Sequence, residues 1–373
     1  MLKNRKIFNI LRKKMSNPIQ EFLPKLLPYP IKLSDEIYTK LIKTSRKLSE
    51  LKGVARSIPN QNILINTLIL QEAKDSSEIE NIITTHDELF LSHFDNQHIS
   101  QATKEVRDYA RALQKGFKLI KQDCLLKNSH ILQIQEILEQ NQAGFRKQAG
   151  TKLTNQKGEI AYIPPQKPQD IMRLMDNLEQ YINDDSLQEL DPLIKMTLIH
   201  YQFESIHPFY DGNGRTGRIL NVLYLVYKDL LDLPILYLSS YIIRHKARYY
   251  ELLKNIQQNG DFQEWITYLL EGVLQTSQKT IETIESIKLL MDQTTLILQE
   301  KESNIYSKDL VESLFLHPYI KSETLVKNLE ITRQTASKYL KICEKHQILH
   351  RKKLGRIHFY INTRLFEILQ KSF

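Results

Sequence analysis

The sequence predicts a mainly α-helical protein with one small β-hairpin and a compact α+β unit at its C-terminal end. Three observations carry this expectation. No proline occurs from Asn60 to Ile163 or from Ile235 to His317, and Leu and Ile recur there at helical spacing, as in Ile65, Leu68 and Leu70 or Ile281, Ile284 and Ile287. Residues 150–165 break that pattern with two short β-prone runs around Asn155 to Gly158, closed by Pro164 and Pro165. The last seventy residues change character again, to three short helical patterns followed by two β-runs.

Residues 1–14 form a basic tail, with Lys3, Arg5, Lys6, Arg12, Lys13 and Lys14 and no acid. The tail has neither a continuous apolar run nor a small-residue cleavage site, which argues against a secretory signal. A disordered tail and an extension upstream of a start at Met15 both fit it. Pro18, Pro24, Pro28 and Pro30 set an extended arm over 15–33, which opens an N-terminal helical region, 15–115. A second segment, 116–260, contains the hairpin. The long helical pattern at 262–302, with Trp265, Tyr268 and Leu269 on one side, fills a connector over 261–303 and suits a link between modules or a homodimer contact.

In 304–373, Leu310, Val311 and Leu314 mark one helix, and Leu325, Val326 and Leu329 a second. Thr332 is placed to cap a third, whose inward stripe is Ala336, Tyr339, Leu340 and Cys343. The runs 348–351 and 357–361 flank Gly355 as a two-stranded wing. Together these make a winged helix.

A chain of 373 residues suits two or three domains, and 41% hydrophobic with 25% charged residues is an ordinary globular balance. The net charge of +9 permits nucleic acid or nucleotide as a partner. Cys124 and Cys343 are the two cysteines, far apart and without metal-ligand spacing, which points to a reducing cytoplasm. No apolar run approaches the roughly 20 residues of a membrane span.

The chemistry concentrates in His207-Pro-Phe-Tyr-Asp-Gly-Asn-Gly-Arg-Thr-Gly-Arg218. Gly212-Asn-Gly-Arg-Thr-Gly217 matches the dinucleotide pattern G-x-G-x-x-G, but that pattern needs a buried strand before it. Here Leu193, Met196, Thr197 and His200 fall at helical offsets, so the dinucleotide fold is rejected. The better reading is a loop opening onto a helix, with Asn213 to Gly217 as the first turn and Ile219, Leu220, Val222, Leu223 and Val226 buried. Free backbone N–H groups there form an anion site. Arg215 and Arg218, three apart, can clamp successive phosphates. Asp211 can hold Mg²⁺ bridging phosphate oxygens, and His207 can act as general base toward a hydroxyl. The bland alternative is a glycine-rich helix cap with a structural histidine and solvated arginines.

This segment satisfies the complete signature of the Fic domain, H-x-F-x-[DE]-G-N-G-R-x-x-R, and the chain resembles that family well beyond it, through Tyr162-Ile-Pro-Pro165, Leu238-Ser-Ser-Tyr-Ile242 and Tyr249-Tyr250. The resemblance implies a Fic helical core and protein adenylyl transfer. His207 would deprotonate a Ser, Thr or Tyr hydroxyl of an unknown target protein, or of the chain itself, for attack on the α-phosphorus of ATP. Asp211 would bind Mg²⁺. Gly212, Asn213 and Gly214 would cradle the anion, within an ATP site that runs on through Thr216 and Gly217. Arg215 and Arg218 would meet the β- and γ-phosphates, Phe209 would anchor the loop, and Tyr249 would lie near the adenine. The hairpin, through Thr151, Leu153, Ile160 and Tyr162, would dock the target as an added strand.

Ser76-Ser-Glu-Ile-Glu80-Asn81 reads from composition as an ordinary solvated acidic helix. It also matches the Fic inhibitory motif [ST]-x-x-x-E-[GN], in the arrangement called class II, and Ser76 and Glu80 share a helix face. The match implies that Glu80 occupies the Arg218 guanidinium that the γ-phosphate needs. Two other functions stay open: removal of AMP by the same site, and a DNA-binding regulator whose Fic core senses ATP. For the winged helix, Arg333, Gln334, Ser337, Lys338 and Lys341 with Arg351, Lys352, Lys353 and Arg356 suit either DNA or a protein partner.

Overall fold

Proline at positions 24, 28 and 30 disfavours a helix, and residues 20–33 form neither helix nor strand in the computed structural model. This structure describes residues 20–94, 99–154, 158–354 and 357–371. The basic tail, Asn155 at the hairpin tip, and Gly355 and Arg356 of the wing lie outside the described residues. The arm is tied down by backbone pairing: Phe22 N–H donates to Ile163 O at 2.9 Å. Asn177 closes it further, accepting from Leu27 N–H at 2.7 Å and donating to Leu27 O at 2.9 Å.

Helix α1 (Asp35–Ala55) starts at Ser34, whose hydroxyl accepts from Ile37 N–H, with Asp35 and Glu36 favourably placed at the positive end of the helix dipole. α2 (Asn62–Ile79) is buried on most sides and stops at Glu80 and Asn81. Asn81 is left-handed, φ 64°, a conformation that asparagine and glycine tolerate best. A short α3 (His86–Leu91), α4 (Gln101–Asp123) and α5 (Asn128–Glu139) follow. The hairpin is β1 (Leu153–Thr154) and β2 (Ile160–Tyr162), antiparallel, with Leu153 opposite Tyr162.

After α6 (Pro168–Asn183), α7 (Pro192–Ile206) is buried nearly all round and forms the centre of the core. α8 (Asn213–Tyr227) packs on it, and every residue of the stripe expected from the sequence, Ile219 to Val226, is buried. α9 (Leu238–Arg244) and α10 (Lys246–Asn259) lead to α11 (Gln263–Lys301), one unbroken helix of 39 residues. It packs along α1 and pins α7 through Trp265, whose ring N–H donates to Thr197 O at 2.8 Å.

The C-terminal unit holds α12 (Lys308–Phe315), β3 (Tyr319–Ile320), α13 (Ser322–Leu329), α14 (Arg333–Lys345), β4 (His350–Leu354), β5 (Ile357–Ile361) and α15 (Thr363–Lys371). Thr332 caps α14 by accepting from Thr335 N–H. The sheet order is β3-β5-β4, antiparallel throughout. β3 and α15 were not anticipated from the sequence. A two-residue strand carries no periodicity, and α15 follows β5 after a single residue. Among the described residues no helix is long and apolar enough to cross a membrane.

The unit grips both flanks of α2. Before it, Asn60 donates to Glu312 at 3.0 Å. After it, the Tyr319 hydroxyl donates to Asp87 of α3, and Phe90 packs edge-on against His317 and Phe366. One contiguous buried cluster therefore runs from Leu27 to Leu369.

Asn177→Ala leaves two backbone groups of the arm unpaired, at a cost of about 1–3 kcal/mol. Limited trypsin digestion is expected to cleave this variant faster at Lys25 than the wild type. Equal cleavage rates would show that the arm is held by other contacts.

Candidate active site

α7 ends because His207 turns left-handed, φ 50°, with its N–H still donating to Phe203 O at 3.0 Å. The loop to α8 is then locked by backbone clamps. Asn213 accepts from Phe209 N–H at 2.8 Å and donates to Phe209 O at 2.9 Å. Phe209 is fully buried, against Phe145 and Phe203. Asp211 is exposed and accepts from Gly212 N–H at 2.7 Å. Gly212 itself is left-handed, φ 76°.

Arg146, invisible to the sequence reading, is the strongest of these clamps. It is 1% exposed. Its Nε donates to His207 O at 2.8 Å, and Nη2 donates to Pro165 O at 2.9 Å and Ile206 O at 3.4 Å. Its backbone N–H reaches Pro208 O at 2.8 Å. One side chain thus joins the histidine loop to the base of the hairpin. A lone arginine after Phe145 gives no periodic or motif signal, so only the fold could identify it.

The His207 ring is closely packed, and the Glu204 backbone lies within its reach. Burial, reinforced by the Arg146 charge and opposed by Glu80, pushes its pKa down to about 4. Near neutral pH the ring is therefore unprotonated and able to accept a proton.

Arg218 is 2% exposed. Its Nε donates to the Ser76 hydroxyl at 2.8 Å, and Nη2 donates to Ser76 O at 2.9 Å and Glu80 Oε1 at 2.8 Å. Burial alone would lower its pKa, but Glu80 overrides that and holds it above the ordinary guanidinium value. The converse holds for Glu80. Burial works against its charge, yet Arg218 keeps the carboxyl below its usual range. The Glu80 carboxylate also lies over Gly214. A Cβ there would stand 2.5 Å from Glu80 Oε1 and 2.9 Å from Arg218 Nη1. Among the described residues no side chain caps the start of α8, and this carboxylate lies over its first turn. Lys246 donates to Ile79 O and secures the end of α2.

Arg215 has a different environment from the one expected. It is 5% exposed and bound to two carboxylates, Glu139 at 2.7 Å and Glu105 at 3.3 Å. Both motif arginines are thus carboxylate-engaged in this state. Thr216 and Gly217 face the core rather than the loop. Thr216 is fully buried, and a Cβ on Gly217 would meet Glu204 Oε1 at 2.5 Å. Glu204, one turn before His207, also escaped the sequence reading. Burial pushes its carboxyl up to about 7 against the pull of Arg218.

Tyr249 lies within electrostatic reach of Arg218 and Glu204. It is 2% exposed, and its hydroxyl pairs with His200 at 2.8 Å beside Trp265. The neighbouring Tyr250 is the half-exposed ring, and Glu80 and Arg218 influence its hydroxyl. In the hairpin, Ile160 is exposed. Tyr162 is buried, donating to Ser205 O at 2.5 Å, and so anchors the strand. Leu153 pairs across from it. Thr151 O accepts from Gln166 at 3.1 Å.

Comparison with known proteins agrees with this architecture. Residues 38–118 match the Fic/DOC family N-terminal domain, 125–225 the Fic/DOC family domain, and 290–365 the C-terminal domain of the protein adenylyltransferase SoFic-like group. The chain belongs to the Fic/DOC family. It is 24% identical over 191 residues to protein adenylyltransferase fic-1 of Caenorhabditis briggsae, covering 49% of this chain and 36% of that one. It is 30% identical over 121 residues to protein adenylyltransferase Fic of Drosophila erecta, covering 32% of this chain and 22% of that one. The alignments thus span about a third or less of these relatives' length. Two solved structures share the fold. A Fic family protein from Desulfovibrio desulfuricans has TM-score 0.57 and 18% identity, over 90% of this chain and 98% of its own. Fic-1 from Caenorhabditis elegans has TM-score 0.52 and 19% identity, over 67% and 74%.

The low pKa of His207 has a stability consequence with a definite sign. The unfolded ring takes a proton near 6.5 and the folded ring near about 4. Its contribution to folding is full above pH 6.5 and is lost as pH falls toward 4. NMR titration of histidine-labelled protein is expected to show the His207 ring neutral at pH 5.5, and a midpoint near 6.5 would contradict the assignment. Arg146→Ala is expected to cost at least about 3 kcal/mol in urea unfolding, because several buried carbonyls lose their donor together.

Proposed function

We propose that this chain transfers AMP from ATP to a hydroxyl of a target protein, and that Glu80 holds the site shut. The observation that carries the reading is the convergence on the start of α8. A neutral histidine, an uncapped helix N-terminus and a buried arginine meet there, with a carboxylate already lying in the anion position.

The roles follow from the chemistry of each group. His207 accepts the proton of the attacking hydroxyl. The new bond forms between that oxygen and the α-phosphorus, the bond to the bridging oxygen breaks, and pyrophosphate leaves. The N–H groups of Asn213 and Gly214 stabilise phosphate oxygens, joined by that of Gly212 once Asp211 releases it. Arg218 takes the γ-phosphate once Glu80 withdraws, and Arg215 reaches phosphate by exchanging Glu139 for it. Asp211 suits Mg²⁺. The described residues hold no cluster of three metal-binding side chains, and this ion commonly needs one or two carboxylates plus substrate phosphates. Bound there, it would neutralise charge on the phosphate oxygens. Thr151, Leu153 and the exposed Ile160 present the hairpin edge to a target strand, while Tyr162 fixes the hairpin to α7.

The inhibitory contact is an ion pair with one side open to water. The Glu80 side chain is 37% exposed, so it contributes less than the roughly 3–5 kcal/mol of a fully buried pair. A contribution of about 1–2 kcal/mol corresponds to roughly 5–30-fold. Glu80→Gly is therefore expected to raise AMP incorporation by about that factor, and His207→Ala in the same background to abolish it. Mass spectrometry after incubation with ATP and Mg²⁺ reads both as an AMP adduct. No adduct with Glu80→Gly would sink the transfer reading. Equal adducts with and without Glu80 would sink the inhibitory one.

A further inference from the structure

The function above leaves α14 and the wing without a role, and the distribution of charge assigns them one. Residues 304–373 contain thirteen Lys/Arg against six Asp/Glu, a net of +7 in a chain whose total is +9. The 15–303 body is net negative, with 33 Lys/Arg against 37 Asp/Glu. The positive charge is therefore carried by the C-terminal unit and the tail.

Within the unit the charge is displayed outward. Arg333, Gln334, Lys338, Lys341 and Lys345 of α14 are exposed, along a shallow depression that Ser337 and the half-buried Ile342 also line. Two acids answer it, and only at its ends: Glu323 pairs with Arg333 at 3.2 Å, and Glu302 with Lys345 at 3.2 Å. Lys338 and Lys341, in the middle, form no ion pair with any described residue. On β4, Arg351, Lys352 and Lys353 are exposed in succession.

The chemistry of this face selects its partner. None of the protein's exposed large hydrophobic side chains lies in the unit's described residues. A protein interface needs buried aromatic or aliphatic anchors, and a membrane-binding helix needs an apolar face to insert. A cationic, hydrogen-bonding face without either matches phosphate. The helix order, with α14 second in a helix-turn-helix and β4-β5 beside it, is that of a winged helix, whose second helix fits the B-form major groove. The deep, narrow major groove of A-form RNA does not admit a helix.

We propose that the C-terminal unit is a double-stranded DNA-binding module, with α14 in the major groove and the β4 cations on the flanking phosphates.

Fluorescence anisotropy of the full chain with a labelled 20-base-pair DNA duplex, titrated at several salt concentrations, tests this. The Lys338→Glu/Lys341→Glu variant is expected to bind at least about 10-fold more weakly, with a salt slope shallower by about two. Thermal melting checks its fold, since both residues are exposed and a surface exchange should leave the midpoint unchanged. Arg12→Glu/Lys13→Glu in the tail is expected to retain most of the affinity. Three outcomes overturn the proposal: no duplex binding at low salt, undiminished binding by the α14 variant, or binding of an RNA duplex as tight as that of DNA.

Discussion

A guanidinium does not give up its charge inside a protein, so burying Arg218 obliges the chain to bring oxygens to it. Ser76 supplies its hydroxyl and its carbonyl, and Glu80 supplies a carboxylate. Much of the molecule follows from this demand. α2 must cross the start of α8 with Ser76 facing inward, and Gly214 must lack a side chain so that the carboxylate can pass over it. The chain must then turn out of the helix at Asn81 through a left-handed residue. Glu72, one turn earlier, is drawn inside as well. Burial pushes its carboxyl up to about 8, while Tyr109 and Ser239 donate hydrogen bonds to it. The helix that leads into Glu80 is thus a structural part of the core.

The same site sets two groups to opposite charge states by opposite means. His207 is kept neutral because burial and the Arg146 charge outweigh the opposing pull of Glu80. Arg218 is kept charged because a carboxylate follows it inside. Between them the loop is shaped by hydrogen bonds to backbone, from Asn213 on Phe209 and from Arg146 on His207 and Pro165. Such clamps fix geometry without titrating, which leaves the protonation states to burial and to the ion pairs.

The C-terminal unit enters this balance mechanically. It holds the chain before α2 through Glu312 and the chain after it through Tyr319, His317 and Phe366. The helix carrying Glu80 is therefore held at both ends by the module with the most concentrated positive charge. The Fic/DOC domain and the C-terminal unit share one buried core instead of being joined by a flexible linker.

The sequence by itself determined the local features. Helical periodicity marked α8 and its buried stripe, Thr332 marked the start of α14, and the glycines marked the turn into α8. In each case the cause lies within a few residues of its effect, through capping, φ preference or the period of a buried face. Pairing Glu80 with Arg218 needed a motif resemblance, because nothing local links positions 138 residues apart. Only the tertiary structure decided the rest. Arg146 and Glu204 carry no pattern, and their roles arise from which carbonyls and charges the packed helices bring beside them. Tyr249 and Tyr250 are adjacent and chemically alike, yet one is sealed against His200 and Trp265 while the other is half-exposed. Arg215 and Arg218, three residues apart on one helix, differ as sharply, because α4 and α5 bring carboxylates to the first and α2 brings one to the second. Burial and long-range charge depend on where helices cross, and helix crossings are properties of the whole packed chain.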